Sequence, residues 1–97
     1  MSVIGKLSRS GMEACRKGLF KDAESCLLSA LEQARARGSA CIEAKIRNNL
    51  GILYELQEAR EKARHHYGNA LSLMRTKLSA DHPLHARLMR SLTRVSS

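Results

Sequence analysis

Tryptophan is absent from this 97-residue chain, and Phe20, Tyr54 and Tyr67 are its only Phe or Tyr residues. So few rings cannot furnish a platform for stacking successive bases, and any core has to be aliphatic and alanine-rich. Proline occurs once, at Pro83, and β-branched residues are scarce. The chain is thus poor in both the common helix breaker and the usual strand formers. No apolar run approaches the roughly 18 residues that would span a bilayer, so no membrane partner is expected. The opening residues do not show the cationic and then apolar pattern of a secretory leader. Cys15, Cys26 and Cys41 are odd in number and have no CxxC spacing, which points to reduced thiols and a cytoplasmic location. Cys26 is expected in the core, with Cys15 and Cys41 partly exposed.

Chemical motifs are equally sparse. There is no glycine-rich phosphate loop, no nucleophile elbow and no HExxH helix, and the nine carboxylates are scattered, so no enzymatic activity and no cofactor are expected. All four histidines lie between His65 and His85. Zinc needs several ligands converging at about 2 Å, whereas the adjacent His65 and His66 are expected to point apart on a helix. No metal site is expected.

What the chain does contain is helix-forming material. Hydrophobic residues make up 43% of it, and Ala, Leu, Arg, Glu and Lys are abundant. The expected class is all-α, a single domain burying roughly 60–65% of the unfolded chain's surface. Seventeen basic residues face nine acidic ones, a formal charge of +8. Residues 60–97 hold eight basic and two acidic side chains, a net +6, whereas residues 1–59 carry only +2. Such an excess attracts acidic peptides, nucleic acid or anionic surfaces.

Apolar spacing predicts five helices, over residues 3–17, 20–37, 40–57, 59–78 and from the Asp81-His82-Pro83 turn to about residue 95. Gly18 and Gly38 fall where helix-ending residues belong. Asp81 ahead of Pro83 is helix-start chemistry, and Ser96-Ser97 is expected to fray.

One pattern is written twice. From Gly11, Ala14 stands three residues on, Ala23 twelve on, Leu27 sixteen on and Ala30 nineteen on; from Gly51 the same offsets give Tyr54, Ala63, Tyr67 and Ala70. Glycine in mid-helix costs about 1 kcal/mol relative to alanine, so its recurrence at a fixed period marks close helix contacts. The expectation is that each glycine faces Ala23 or Ala63, small against small, with Leu27 or Tyr67 filling the gap one turn on.

These residues resemble the tetratricopeptide repeat pattern, in which helix-turn-helix units stack into a right-handed superhelix. The likeness covers residues 4–37, residues 44–78 and a capping or third leading helix over 82–95. The stretch from Asn48-Asn49-Leu50-Gly51 through Tyr54, Ala63, Tyr67 and Ala70 to Asp81-His82-Pro83 is similar to the long repeats of kinesin light chains. Departures are Arg47 at a place usually apolar, Ala14 where a larger residue is common, and Gly68 within the fourth helix.

The resemblance implies antiparallel hairpins whose leading helices line a concave groove. Ser8, Arg9, Met12, Cys15 and Arg16 would come from the first helix. The third would add Lys45, Asn48, Asn49, Ile52, Glu55 and Leu56, and the fifth Arg87, Arg90, Ser91 and Arg94. Arginine forks onto carboxylates, and asparagine can bond a peptide backbone through both its C=O and its N–H groups. Met12, Ile52 and Leu56 offer an apolar anchor. The implied function is a protein-binding adaptor for an acidic peptide or helix. Asn49 stands where chaperone-binding repeats carry a carboxylate-clamp Asn, although Ser8 and Met12 replace the basic partner. Two alternatives remain open: nucleic-acid binding through the basic C-terminal half, and self-association into a homo-oligomer through uncovered terminal helices.

Overall fold

The computed structural model describes residues 2–79 and 81–97. Five helices follow one another, α1 (Val3–Arg16), α2 (Phe20–Arg37), α3 (Ala40–Leu56), α4 (Arg60–Lys77) and α5 (Pro83–Ser96), and no strand occurs among the described residues. Each boundary lies within about two residues of its expected place.

Local chemistry explains where the helices begin and end. Ser2 Oγ accepts from Gly5 N at 3.1 Å and Ser39 Oγ from Ile42 N at 3.3 Å, capping α1 and α3. Three helices end on one motif at a 20-residue interval. Leu19 N donates to Ala14 O at 2.9 Å, Ser39 N to Ala34 O at 3.3 Å and Ala59 N to Tyr54 O at 2.8 Å. Each bond needs a left-handed residue just before its donor, and these are Gly18 (φ 77°), Gly38 (φ 70°) and Glu58 (φ 58°). Glu58 is the member that composition conceals. At the fifth helix the capping acceptor is His82, not Asp81: its Nδ1 accepts from Leu84 N at 3.1 Å, with Pro83 in the first turn. Asp81 N instead donates to Ser79 Oγ at 3.1 Å, and Ala80 of the expected turn lies outside the described residues. The tail does not fray as expected, because Ser97 Oγ donates to Thr93 O at 2.8 Å and Arg60 Nη1 donates to Ser97 O at 3.0 Å.

Short connections force antiparallel pairs. α1 packs on α2 and α3 on α4, α2 joins the two hairpins by packing on α3, and α5 packs on α4. α1, α3 and α5 also touch in sequence, so they run side by side in a body whose Cα extents are 33 × 31 × 18 Å. Ala23, Leu27, Ala30, Ala34, Leu50, Leu53, Ala63, Tyr67, Ala70, Met74 and Leu88 are fully buried in its core.

The repeated glycines do bring the helices close, but through a different contact from the expected one. A Cβ on Gly11 would lie 2.8 Å from Leu27 Cγ, and one on Gly51 would lie 2.7 Å from Tyr67 Cζ. Each glycine thus receives the bulky side chain sixteen residues on, and at Gly11 the Ala23 backbone carbonyl also lies 3.4 Å from the added Cβ. The cysteines also exchange places with expectation: Cys15 is buried, and Cys26 is only partly covered, like Cys41. Burial pushes the Cys15 thiol above its ordinary value.

Candidate functional site

α1, α3 and α5 present three contiguous open clefts on one face, and Asn49 lines all of them. It lies mid-way along α3, which is flanked on either side by a leading helix, so one amide reaches both neighbouring furrows.

The first cleft, about 610 Å³, sets Ser8, Arg9, Met12 and Arg16 of α1 opposite Asn49. Cys15, expected on this face, is turned into the core instead. The second, about 450 Å³, gathers Asn48, Asn49 and Ile52 with Arg87, Arg90, Ser91 and Arg94 of α5. The third, about 280 Å³, joins Lys45, Asn48 and Asn49 to the His82-Pro83-Leu84 corner and Arg87. Leu56 is exposed but lines none of them.

Placement on a common face does not make every cation available. Arg16 is ion-paired with Glu13 one turn back. Arg94 forks onto Glu55, Nε to Oε2 at 2.6 Å and Nη2 to Oε1 at 2.8 Å, and Nη2 also reaches Ser91 Oγ at 3.2 Å. Tyr67 OH donates to the same Glu55 Oε1 at 2.8 Å. Glu55 therefore ties α3 to both α4 and α5. Its bonds from Arg94 hold the carboxyl below the usual range, burial works against them, and the Tyr67 bond helps; burial and Glu55 together push the Tyr67 phenol up to about 12. The expected roles of Glu55 and Arg94 as ligand contacts need revision: their charges are spent on each other. Arg87 and Arg90 are exposed and form no ion pair among the described residues. Asn48 is buried while Asn49 is partly exposed, so Asn49 is the amide more open to a ligand.

Behind this face lies a polar cluster that sequence reasoning missed. Arg47 is buried and bonds Glu43 Oε2 through Nε at 2.9 Å, one helical turn away, and its Nη1 lies 3.2 Å from His66 Nδ1. Arginine can only donate, so His66 accepts there and is neutral, with its proton on Nε2. Burial first, then the Arg47 and His65 charges, lower the His66 pKa to about 4. His66 also stacks on Tyr54, centroids 5.5 Å apart, and Tyr54 OH donates to Glu24 Oε2 of α2 at 2.6 Å. The one available signal was a charged Arg47 interrupting an apolar stripe. His65 and His66 do not point apart as expected but meet edge to face at 5.0 Å, and His65 Nε2 is engaged by Asn69 Nδ2 at 3.2 Å. No group of three or more metal-ligating side chains converges among the described residues, and no described helix is long and apolar enough to cross a membrane.

No protein-family model matches the chain, and no curated protein matches it.

Proposed function

We propose that this chain is a non-enzymatic, tetratricopeptide-type binding module that holds an acidic segment of another protein against α1, α3 and α5. The observation that carries this reading is the pairing of Arg87 and Arg90, exposed and without ion-pair partners among the described residues, with Asn49 at the wall common to all three clefts. Carboxylates on the ligand meet the two guanidinium groups, and Asn49 bonds its backbone. Met12 and Ile52, each partly exposed, supply the apolar contacts that arginine recognition alone does not. Arg94 contributes indirectly, by holding α5 in register with α3 through Glu55. Tetratricopeptide membership is itself part of the proposal, supported by the doubled glycine spacing and by helix ends every 20 residues.

The test is partner capture with wild type and with Arg87→Glu/Arg90→Glu in the full chain, followed by binding of the recovered partners' acidic segments. The variant is expected to lose them, with affinity falling about tenfold or more. Identical partners and affinities for both proteins would refute the groove assignment. Affinity for DNA or RNA that persists at about 0.1 M salt and is abolished by the same variant would favour nucleic acid instead.

A further inference from the structure

Among the described residues the buried polar or charged ones are Arg47, Asn48 and Ser91. The fold itself employs two of them. Arg47 bonds Glu43 and meets His66, and Ser91 Oγ accepts from Arg94 Nη2 at 3.2 Å. Asn48 is only 9% exposed, yet its side chain has no hydrogen-bond partner among the described residues. An unbonded buried amide weakens a fold, and a leucine of similar shape would pack there without that penalty. Every fully enclosed side-chain nitrogen or oxygen among the described residues is bonded, so the Asn48 amide opens onto the clefts it lines.

The smaller of those two clefts, about 280 Å³, lies where α3 meets the start of α5. Lys45, Asn48 and Asn49 line it from α3, and His82 and Arg87 from the other side. Lys45 and Arg87 are exposed and form no ion pair among the described residues. No carboxylate lines the cleft, although Asp81 is next to His82 in the chain. Because His82 Nδ1 accepts from Leu84 N, the ring proton is on Nε2, which is its remaining donor. Backbone amides are not free to help. Pro83 has no N–H, Leu84 N is held by His82 Nδ1, and His85 N donates to His82 O at 2.9 Å. Recognition in this corner therefore falls to side chains: two cations and three neutral donor nitrogens, with no anion among them.

Charge and donor number select the ligand. A carboxylate offers one negative charge and two oxygens, which Arg87 alone satisfies with a forked pair of bonds. A phosphomonoester carries about −1.5 to −2 at pH 7 and three strong acceptor oxygens. Lys45 and Arg87 together match that charge, and the amides of Asn48 and Asn49 with His82 Nε2 supply neutral donors for the remaining lone pairs.

We propose that this corner binds the phosphate of a phosphorylated serine or threonine within the acidic segment that the groove holds. The proposal rests on the groove reading and adds to it a dependence on phosphorylation. Arg87 lines both this cleft and its neighbour, whereas Arg90 lines only the neighbour. The phosphate thus sits at the Lys45 end, and the carboxylates beside it extend towards Arg90.

The experiment uses the full chain and three short acidic peptides, identical except for a central phosphoserine, serine or glutamate. Fluorescence anisotropy gives affinity, and the side-chain amide resonances of Asn48 and Asn49 locate the contact. The phosphoserine peptide is expected to bind at least about tenfold tighter than either counterpart, shifting the Asn48 amide. Lys45→Gln and Asn48→Leu are each expected to cut that preference to about threefold or less, whereas Arg90→Gln weakens every peptide and keeps the preference. Circular dichroism checks that the variants fold; if Asn48→Leu does not, Lys45→Gln and the wild-type amide shifts decide. A phosphoserine preference below about threefold, or one that Lys45→Gln leaves intact, would overturn the proposal. If the serine and glutamate peptides still bind and depend on Arg90, the groove reading survives that result. No saturable binding of any peptide up to about 1 mM would overturn both. Inorganic phosphate is the last probe: if it shifts the Asn48 amide at the same concentration as the phosphoserine peptide, the occupant is the free ion and the phosphopeptide assignment fails. An oligonucleotide that binds more tightly than the phosphoserine peptide and depends on Lys45 would overturn it equally.

Discussion

Adding a single methyl group at Gly51 should destabilise this protein, although the same change helps an ordinary helix. Gly→Ala in mid-helix gains about 1 kcal/mol of intrinsic propensity. Against that gain, a Cβ on Gly51 would sit 2.6 Å from Tyr67 Cδ1 and 2.7 Å from Cζ, inside the range of any real contact. The ring has little room to retreat. Tyr67 is 0% exposed, and its hydroxyl is bonded to Glu55 Oε1 at 2.8 Å. Overpacking of this kind costs typically 1–3 kcal/mol, and a pinned ring belongs at or beyond the upper end. The expected net loss for Gly51→Ala is about 2 kcal/mol or more, a fall in Tm of roughly 8–16 °C or more for a domain of this size. Gly68→Ala supplies the internal control, because a Cβ there meets nothing within 4 Å and the helix gain is unopposed. It should raise stability by about 0.5–1 kcal/mol. Gly11→Ala, against an untethered Leu27 side chain, should fall between the two. Urea unfolding followed by circular dichroism measures all three. A Gly51→Ala protein as stable as Gly68→Ala would refute the claim that the repeat's glycine exists to receive the side chain sixteen residues on.

Other expectations follow from the polar ties and the helix ends. Glu58→Gly should raise the urea midpoint by the equivalent of about 0.5–1 kcal/mol, since glycine adopts φ 58° without the strain that glutamate carries. Glu55→Gln should flatten the acid side of the stability profile. Because Arg94 above all lowers the folded pKa of Glu55, its contribution is present above the unfolded value of about 4.3 and lost as pH falls through the folded one. Unfolding midpoints of wild type and variant should therefore converge in acid, and a constant gap across the range would count against this tie. His66 is also depressed in the folded state, so its contribution is full above the unfolded value of about 6.5 and disappears as pH falls through about 4. In a histidine NMR titration its ring should stay neutral, with the proton on Nε2, while pH drops from about 7 to about 5; protonation near its ordinary value would show that the Arg47 contact is wrongly assigned.

Helix positions were legible because they depend on neighbours along the chain. Gly18, Gly38 and the apolar spacing of Ile46, Leu50 and Leu53 act within a turn or two, where sequence separation and spatial separation coincide. Helix ends escaped notice only when the acting residue was an unusual one. Glu58 takes a conformation that glycine holds at the other two ends, and its place could have been found only from the 18, 38, 58 interval. His82 displaced Asp81 as the cap because its ring nitrogen, and not the neighbouring carboxylate, reaches Leu84 N. Which side of a helix a cysteine faces depends on which neighbour covers it, so Cys15 is buried and Cys26 only partly covered, the reverse of expectation.

The amino-acid sequence by itself determined an all-helical chain, its five segments, the doubled glycine register and a basic C-terminal half. Each of these is a matter of local propensity, short-range periodicity or simple counting. Tertiary structure alone decided which charges remain available. It brought Arg94 onto Glu55 from 39 residues away, set Arg47 against His66, and left Arg87 and Arg90 exposed beside Asn49. Pairing of side chains distant in sequence follows from how the hairpins pack, because a charge is neutralised by whatever the fold places within about 3 Å of it.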